Sequence, residues 1–262
     1  MTTATLGRVT LSRFLLGSNP FSGFSHQGHE RDSAMVRHYT TAHIKEVLFE
    51  AERLGITGVV ARTDHHVMRV LREYWDEGGK LNWSAQTCPG VGPTEMCVRE
   101  AVSGGAKSCH IHGGVMDHLV ATGQTDEVKR GIDLLREHGL AAGIAGHNVR
   151  VFEWAEKNLD VDYYMCCYYN PSPREDAPEH VHGATEQYRE SDRKAMTDLI
   201  RTLKKPVIHY KILAAGRNDP EEAFAFAAKV MRASDFVCVG VYAKDDPAML
   251  RKDVELFDRL VK

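Results

Sequence analysis

The sequence predicts an α/β fold, a single (β/α)8 TIM barrel over residues 1–262. Short apolar segments typical of strands alternate with amphipathic segments typical of helices, and eight such units follow one another. Eight units in about 250 residues is the usual size of such a barrel. No linker separates two halves of the chain, so one barrel is favoured over a doubly wound sheet.

The predicted strands are short, often β-branched and mostly bounded by Gly, Pro, Asn or Asp, as buried parallel strands should be. They are Phe14–Leu16, Gly58–Arg62, Asn82–Gln86, Ser108–His112, Ala142–Ala145, Tyr163–Tyr168, Val207–Lys211 and Phe236–Val241. Helical patterns lie between them, at 43–55, 65–79, 93–105, 125–139, 148–158, 186–205, 219–234 and 245–262. Gly55 and Gly139 suit helix ends, and Asp219-Pro220 suits a helix start.

Two connections are long and lack a helical pattern, at about 19–41 and 170–185. Each follows a strand, so each is expected at the C-terminal face of the barrel, where barrel enzymes have their active sites. The first connection contains His26, His29 and His38, and the second contains His180 and His182.

Composition excludes several classes of protein. The net charge of −3 and the pI near 6.5 argue against a nucleic-acid binder. No run approaches 18 apolar residues, and the first residues lack the apolar core of a secretory signal. The six cysteines form no CxxC pair, so reduced thiols and a cytoplasmic location are expected. The 14 scattered histidines are the first indication of a reactive site.

Polar residues at strand ends are the candidates for catalysis. Asp64, His112 and Lys211 are the candidates for proton transfer or for polarising the substrate, and Lys211 could also form a Schiff base. Two alternatives stay open, namely that Asp64 caps the following helix and that Lys211 binds an anion or forms a salt bridge. The candidates for binding substrate or cofactor are Asn19, Arg62, Asn148, Asn170, Tyr210 and Arg217. Asn148 is equally well placed to cap a helix.

A histidine cluster is the candidate metal site. His110 and His112 lie two residues apart on one strand, so they share a face, and His147 or His209 could supply a third ligand. Zn, Mn, Fe or Ni would suit such a site. The alternative is one hydrogen-bonded core histidine and one acid/base histidine.

Six motifs follow one another across most of the chain, namely RVTLSRFLLGSNPFSG, GITGVVARTDHH, HIHGG, GIAGHN, VDYYMCCYYNPSPR and VIHYKILAAGR. These motifs and their order resemble the aldo-keto reductase family. The resemblance implies a (β/α)8 barrel and an NADP-dependent carbonyl reductase. It places Asp64 on the catalytic Asp, His112 on the catalytic His, Asn148 on the amide-binding Asn and Tyr210 on the aromatic residue that stacks on nicotinamide.

The sequence departs from that family at two catalytic positions. Arg69 lies where the catalytic Tyr is expected, and Gln86 and Thr87 lie where the catalytic Lys is expected. The loop after the last strand has Lys244 but lacks the usual arginine-bearing phosphate clamp. The departures predict that ordinary carbonyl reduction is impaired.

We therefore expect a small-molecule enzyme, with metal-assisted or acid/base chemistry, that acts as a lyase, isomerase or hydrolase on a small polar carbonyl or sugar-like substrate. One alternative is an NADP-dependent oxidoreductase with an altered proton donor. The other is a non-catalytic ligand-binding barrel. No nucleic-acid or membrane partner is expected, and a homo-oligomer stays open.

Overall fold

The computed structural model describes residues 1–172 and 186–261. In chain order the strands are β1 (Thr3–Leu6), β2 (Val9–Ser12), β3 (Phe14–Gly17), β4 (Gly58–Arg62), β5 (Asn82–Gln86), β6 (Ser108–Ile111), β7 (Ala141–Gly146), β8 (Tyr163–Cys167), β9 (Val207–Tyr210) and β10 (Phe236–Val239). Strands β3 to β10 form a closed parallel barrel in which β10 pairs with β3. The predicted α/β barrel is therefore confirmed, and no predicted strand end differs by more than two residues.

The first two strands form a hairpin that was not predicted. β1 and β2 are antiparallel, and Gly7 turns between them with a φ of 61°. Leu6 and Leu11 are buried among barrel residues that include Phe236. A Cβ on Gly7 would lie 2.6 Å from the Cβ of Ala141, the first residue of β7. The hairpin thus closes the end of the barrel at which the strands begin.

The helices are α1 (His29–His38), α2 (Thr41–Arg53), α3 (His65–Asp76), α4 (Thr94–Ser103), α5 (Gly113–Thr122), α6 (Asp126–Glu137), α7 (Val149–Asn158), α8 (Glu190–Ile200), α9 (Pro220–Ala228) and α10 (Met249–Leu260). Eight of them match the predicted helical patterns. Helices α1 and α5 were missed, because α1 is mostly polar and α5 begins with two glycines and is apolar on nearly all sides. None of the helices in the described part of the chain is long and apolar enough to cross a membrane.

The first long connection lies across the C-terminal face of the barrel. It contains α1 and a 3-10 helix at Asn19–Ser22. The Arg217 guanidinium donates to the His26 carbonyl at 2.8 Å, and the Gln27 side chain donates to the Ala215 carbonyl at 2.6 Å. These contacts hold the connection against the loop after β9. Most of the second connection, with His180 and His182, lies outside the described residues.

Candidate active site

A pocket of about 210 Å³ opens at the C-terminal ends of the barrel strands. Six residues predicted from the sequence line it, namely Asn19, Arg62, His112, His147, Tyr210 and Lys211. It adjoins a larger cavity of about 470 Å³. Four of the six also line that cavity, namely Asn19, Arg62, Tyr210 and Lys211. We call the two spaces the small pocket and the large cavity.

Three side chains in a row, Asp117, His147 and Tyr210, connect helix α5 to the small pocket. The Asp117 carboxylate accepts from His147 Nδ1 at 2.7 Å and from the His147 and Asn148 backbone amides at 3.1 Å. On the other side of the ring, the Tyr210 hydroxyl lies 3.2 Å from His147 Nε2. Asp117 and His147 are buried, while Tyr210 lies on the pocket wall. We call this set the Asp–His–Tyr relay.

The hydrogen bonds of the relay indicate where its protons lie when His147 is neutral. Because Asp117 accepts from Nδ1, the neutral His147 ring has its lone pair on Nε2. In that tautomer Nε2 can accept the Tyr210 proton at 3.2 Å, and the Gly146 carbonyl lies 3.4 Å from the same hydroxyl as a second acceptor. Whichever acceptor the hydroxyl uses, the lone pairs of the phenol oxygen are left to accept a proton from the pocket. Burial, followed by the nearby Cys167 and Asp117, raises the pKa of Tyr210 well above its ordinary value of 10. Tyr210 is therefore a neutral phenol that carries its proton at neutral pH.

His112 faces the same pocket from the start of α5. Its Nδ1 accepts from the Gly114 backbone amide at 3.1 Å, so the neutral ring carries its proton on Nε2. The next residue, Gly113, lines the pocket, and a Cβ there would meet His147 Cε1 at 3.0 Å and the Tyr210 hydroxyl at 3.2 Å. Glycine therefore allows the helix start to approach the relay.

Two residues on the pocket wall have left-handed backbones, which is uncommon outside glycine. His26 has a φ of 57° and Lys211 a φ of 55°. His26 Nδ1 lies 2.8 Å from Glu186 Oε1. Burial of the Glu186 carboxyl opposes its ionisation, but the His26 contact and the Lys211 charge prevail, so its pKa falls to about 2. Glu186 therefore stays ionised behind His26.

Arg62 is held on the pocket wall from three sides. Its guanidinium donates to Cys88 Sγ at 2.9 Å, lies 4.7 Å from the centre of the Phe24 ring, and has Nε 3.3 Å from Asp64 Oδ2. The Asp64 contact is an ion pair without hydrogen-bond geometry, since Nε is buried without a hydrogen-bond partner. The guanidinium keeps hydrogen-bonding capacity beside the pocket.

Structural comparison relates the chain to several solved barrels. A Pseudomonas aeruginosa protein assigned to the aldo-keto reductases aligns with 99% of this chain and 95% of its own, at a TM-score of 0.63 and 16% identity. An aldo-keto reductase from Bacillus halodurans aligns with 100% of this chain and 97% of its own, at a TM-score of 0.58 and 12% identity. An N-acetylmannosamine-6-phosphate 2-epimerase from Clostridium perfringens aligns with 82% of this chain and 86% of its own, at a TM-score of 0.57 and 15% identity.

The chain shares the barrel fold of these enzymes. At identities this low the comparison shows the fold alone. No family model matches the sequence. No curated protein matches it either.

Four residues predicted for catalysis or for binding do not line either space. Asp64 caps α3 by accepting from the Val67 amide at 2.9 Å, and Asn148 caps α7 by accepting from the Arg150 amide at 3.0 Å. Asn170 lies next to α8, where its backbone amide donates to the Asp192 carboxylate at 3.4 Å. Arg217 holds the loops together, as described above, without lining the pocket. The capping interpretation therefore accounts for Asp64 and Asn148.

The four histidines of the predicted metal site are not brought together. His110 is inside the barrel between the Tyr163 hydroxyl and Gln86, and burial lowers its pKa to about 3. His209 lies between the Tyr168 hydroxyl at 2.9 Å and Asp235 at 3.4 Å. In residues 1–172 and 186–261, no three His, Cys, Asp or Glu side chains form a group that could hold a metal ion. The described residues therefore do not bring His110, His112, His147 and His209 together as the ligands of one metal ion.

Asp117 is the main site residue that the sequence analysis missed. It lies in the second turn of α5, in the segment GGVMDHLVAT, and is buried. A single acidic residue in an otherwise apolar helix was the available signal, since a buried carboxylate needs a partner.

Proposed function

We propose that the protein is an enzyme that moves protons on a small polar carbonyl or sugar-like substrate, as an isomerase or lyase. The observation that carries the proposal is the Asp–His–Tyr relay, which ends at the Tyr210 oxygen on the wall of the small pocket. A buried carboxylate that orients a histidine is a recurrent arrangement for stabilising an imidazolium ion during catalysis.

The relay acts as a general base in the forward direction. Tyr210 accepts a proton from the substrate as its own proton passes to His147 Nε2. Asp117 then stabilises the imidazolium through its 2.7 Å contact with Nδ1. The same three residues return the proton at the end of the reaction, so the base becomes the acid.

The electron pair released by that proton ends on the carbonyl oxygen of the substrate. In an isomerase a C–H bond next to the carbonyl breaks. In a lyase a hydroxyl loses its proton and the adjacent C–C bond breaks. Both routes give an enolate, and two groups on the wall stabilise its oxygen, namely the Nε2–H of His112 and the Lys211 ammonium.

Deuterium exchange tests this chemistry even when the product is not identified. The protein is incubated in D₂O with a panel of small aldoses, ketoses and 2-oxo acids, and NMR measures deuterium at the carbon next to the carbonyl. We expect exchange with the wild type and at least a 100-fold loss in Tyr210→Phe. Tyr164→Phe is the matched control, since it loses a partly buried 2.9 Å hydrogen bond to Glu156, and neither residue lines the pocket. No exchange by the wild type would count against an isomerase or lyase, and would leave the NADP-dependent oxidoreductase and the non-catalytic ligand-binding barrel.

A second candidate function is NADP-dependent carbonyl reduction with Tyr210 as proton donor, and the large cavity favours it. Two buried polar atoms on its wall, the Tyr242 hydroxyl and Asp253 Oδ2, have no hydrogen-bond partner. Buried polar groups are usually satisfied, so these atoms fit a ligand that hydrogen-bonds to them. A dinucleotide held there would supply hydride to a carbonyl in the small pocket.

Fluorescence titration with NADPH and NADH tests the second candidate. Saturable quenching that weakens in a Tyr242→Phe, Asp253→Ala double variant would support a cofactor site in the large cavity. Failure of both nucleotides to bind would leave the isomerase or lyase as the proposed function.

A further inference from the structure

The described part of the small-pocket wall carries cationic side chains and no acidic ones. Arg62 and Lys211 both line it, together with His26, His112 and His147. Among the described residues, no Asp or Glu lines the pocket. The carboxylates lie one layer behind, where Asp117 contacts His147 and Glu186 contacts His26.

Among residues 1–172 and 186–261, the cationic side chains therefore line the pocket and the carboxylates that contact them lie behind the wall. Asp64 contacts the Nε edge of Arg62 at 3.3 Å but itself caps α3 and does not line the pocket. The Cys88 and Phe24 contacts hold the guanidinium in place. An arginine fixed in this way is pre-organised for an oxyanion, because its planar donors match carboxylate and phosphate oxygens.

The start of α5 adds a favourable electrostatic contribution. Gly113 places the first turn of this ten-residue helix on the pocket wall. The Gly114 amide donates to His112 Nδ1, the other amides of the first turn have no acceptor within the helix, and the helix dipole favours negative charge there. The helix start therefore attracts an anion from another side of the pocket than Arg62 and Lys211 do.

We infer that the small pocket selects a substrate bearing an oxyanion, and that Arg62 is its specificity-determining residue. The inference rests on the proposed function, since it names the substrate class of the same site. The oxyanion binds at Arg62, which leaves Lys211, His112 and Tyr210 for the reacting carbonyl. The substrate class is therefore a small carboxylated or phosphorylated carbonyl compound.

Binding of simple anions tests the inference separately from catalysis. Calorimetry at constant ionic strength measures binding of malonate, inorganic phosphate and the neutral malonamide to the full-length protein. We expect saturable binding of malonate or phosphate and none of malonamide. Malonate alone would assign a carboxylate and phosphate alone a phosphoryl group.

Variants of Arg62 provide the decisive comparison. Arg62→Gln should weaken anion binding at least tenfold, and Arg62→Lys should retain part of it while preserving the charge. Arg69→Gln, at a side chain that is 71% exposed on α3, is the matched control and should bind as the wild type does. Equal binding of malonate and malonamide, or unchanged anion binding in Arg62→Gln, would overturn the inference.

The inference and the proposed function can fail independently. Tyr210→Phe should still bind the anion, because Tyr210 acts on the carbonyl end. Anion binding through Arg62 without deuterium exchange would refute the proposed function alone. Exchange that depends on Tyr210 but occurs only with uncharged substrates would refute the oxyanion inference alone.

Discussion

A buried carboxylate in the last helix should make the protein less stable as the pH rises. Asp253 lies in α10 and is only 4% exposed, and its Oδ2 has no hydrogen-bond partner. Burial, with a smaller contribution from Asp246, raises its pKa from 3.8 to about 7. The folded protein therefore keeps a proton on Asp253 between about pH 4 and pH 7, while the unfolded chain loses it.

The size of the effect follows from this difference in pKa. Each pH unit between the two values is worth about 1.4 kcal/mol, so ionised Asp253 costs the folded state about 4 kcal/mol above pH 7. The cost is absent below pH 4. Asp253→Asn removes the ionisation, so the variant should gain stability relative to the wild type as the pH rises through this window.

Urea denaturation at a series of pH values from 4 to 8 measures the difference. The gap in unfolding free energy between Asp253→Asn and wild type should change by about 4 kcal/mol in favour of the variant. Asp258→Asn, at an exposed carboxylate on the same helix, is the control. Its difference from the wild type in unfolding free energy should change by less than about 0.5 kcal/mol over the same pH range. Parallel pH curves for wild type and Asp253→Asn would refute the reasoning.

Three further predictions concern the relay and the hairpin. Asp117→Asn should lower kcat by about 100- to 10,000-fold with little change in KM, because the neutral amide no longer stabilises the His147 imidazolium. Steady-state kinetics measures both constants, and an unchanged kcat would contradict the prediction. Gly113→Ala should lower turnover, since its Cβ would lie 3.0 Å from His147 Cε1, while a thermal melt checks that the variant folds. Wild-type turnover would show that the relay tolerates displacement. Leu11→Ala should cost about 2–5 kcal/mol in urea denaturation, and a loss below 1 kcal/mol would mean that the hairpin does not support the barrel.

The barrel strands could be predicted because burial on both sides leaves a simple sequence pattern. The runs around Val59 and Val237 are short, apolar and bounded by polar or turn residues, which specifies a buried strand locally. The hairpin gave a weaker signal, because its role depends on contact with the distant residue Ala141. Helix α5 has no polar face, so its period could not be read from the sequence.

The candidate site could be predicted only in part, for related physical reasons. Strand ends meet at one face of a barrel, which is why Arg62, His112 and Tyr210 line one pocket. Successive side chains along β9 point to opposite faces, so His209 and Tyr210 lie on different sides of the strand. Lys211 follows the end of the strand and has a left-handed backbone. Whether an Asp or Asn at a strand end caps a helix or faces a ligand depends on side-chain direction, which local sequence does not determine.

The most direct test of the account compares wild type and Tyr210→Phe for deuterium exchange next to the carbonyl of small carboxylated and phosphorylated compounds. The account predicts exchange by the wild type with at least one of them, and at least a 100-fold loss when only the Tyr210 hydroxyl is removed. Equal exchange by the two proteins would contradict the role of the Asp–His–Tyr relay. The absence of wild-type exchange with these compounds and also with uncharged aldoses and ketoses would contradict the proposed proton transfer.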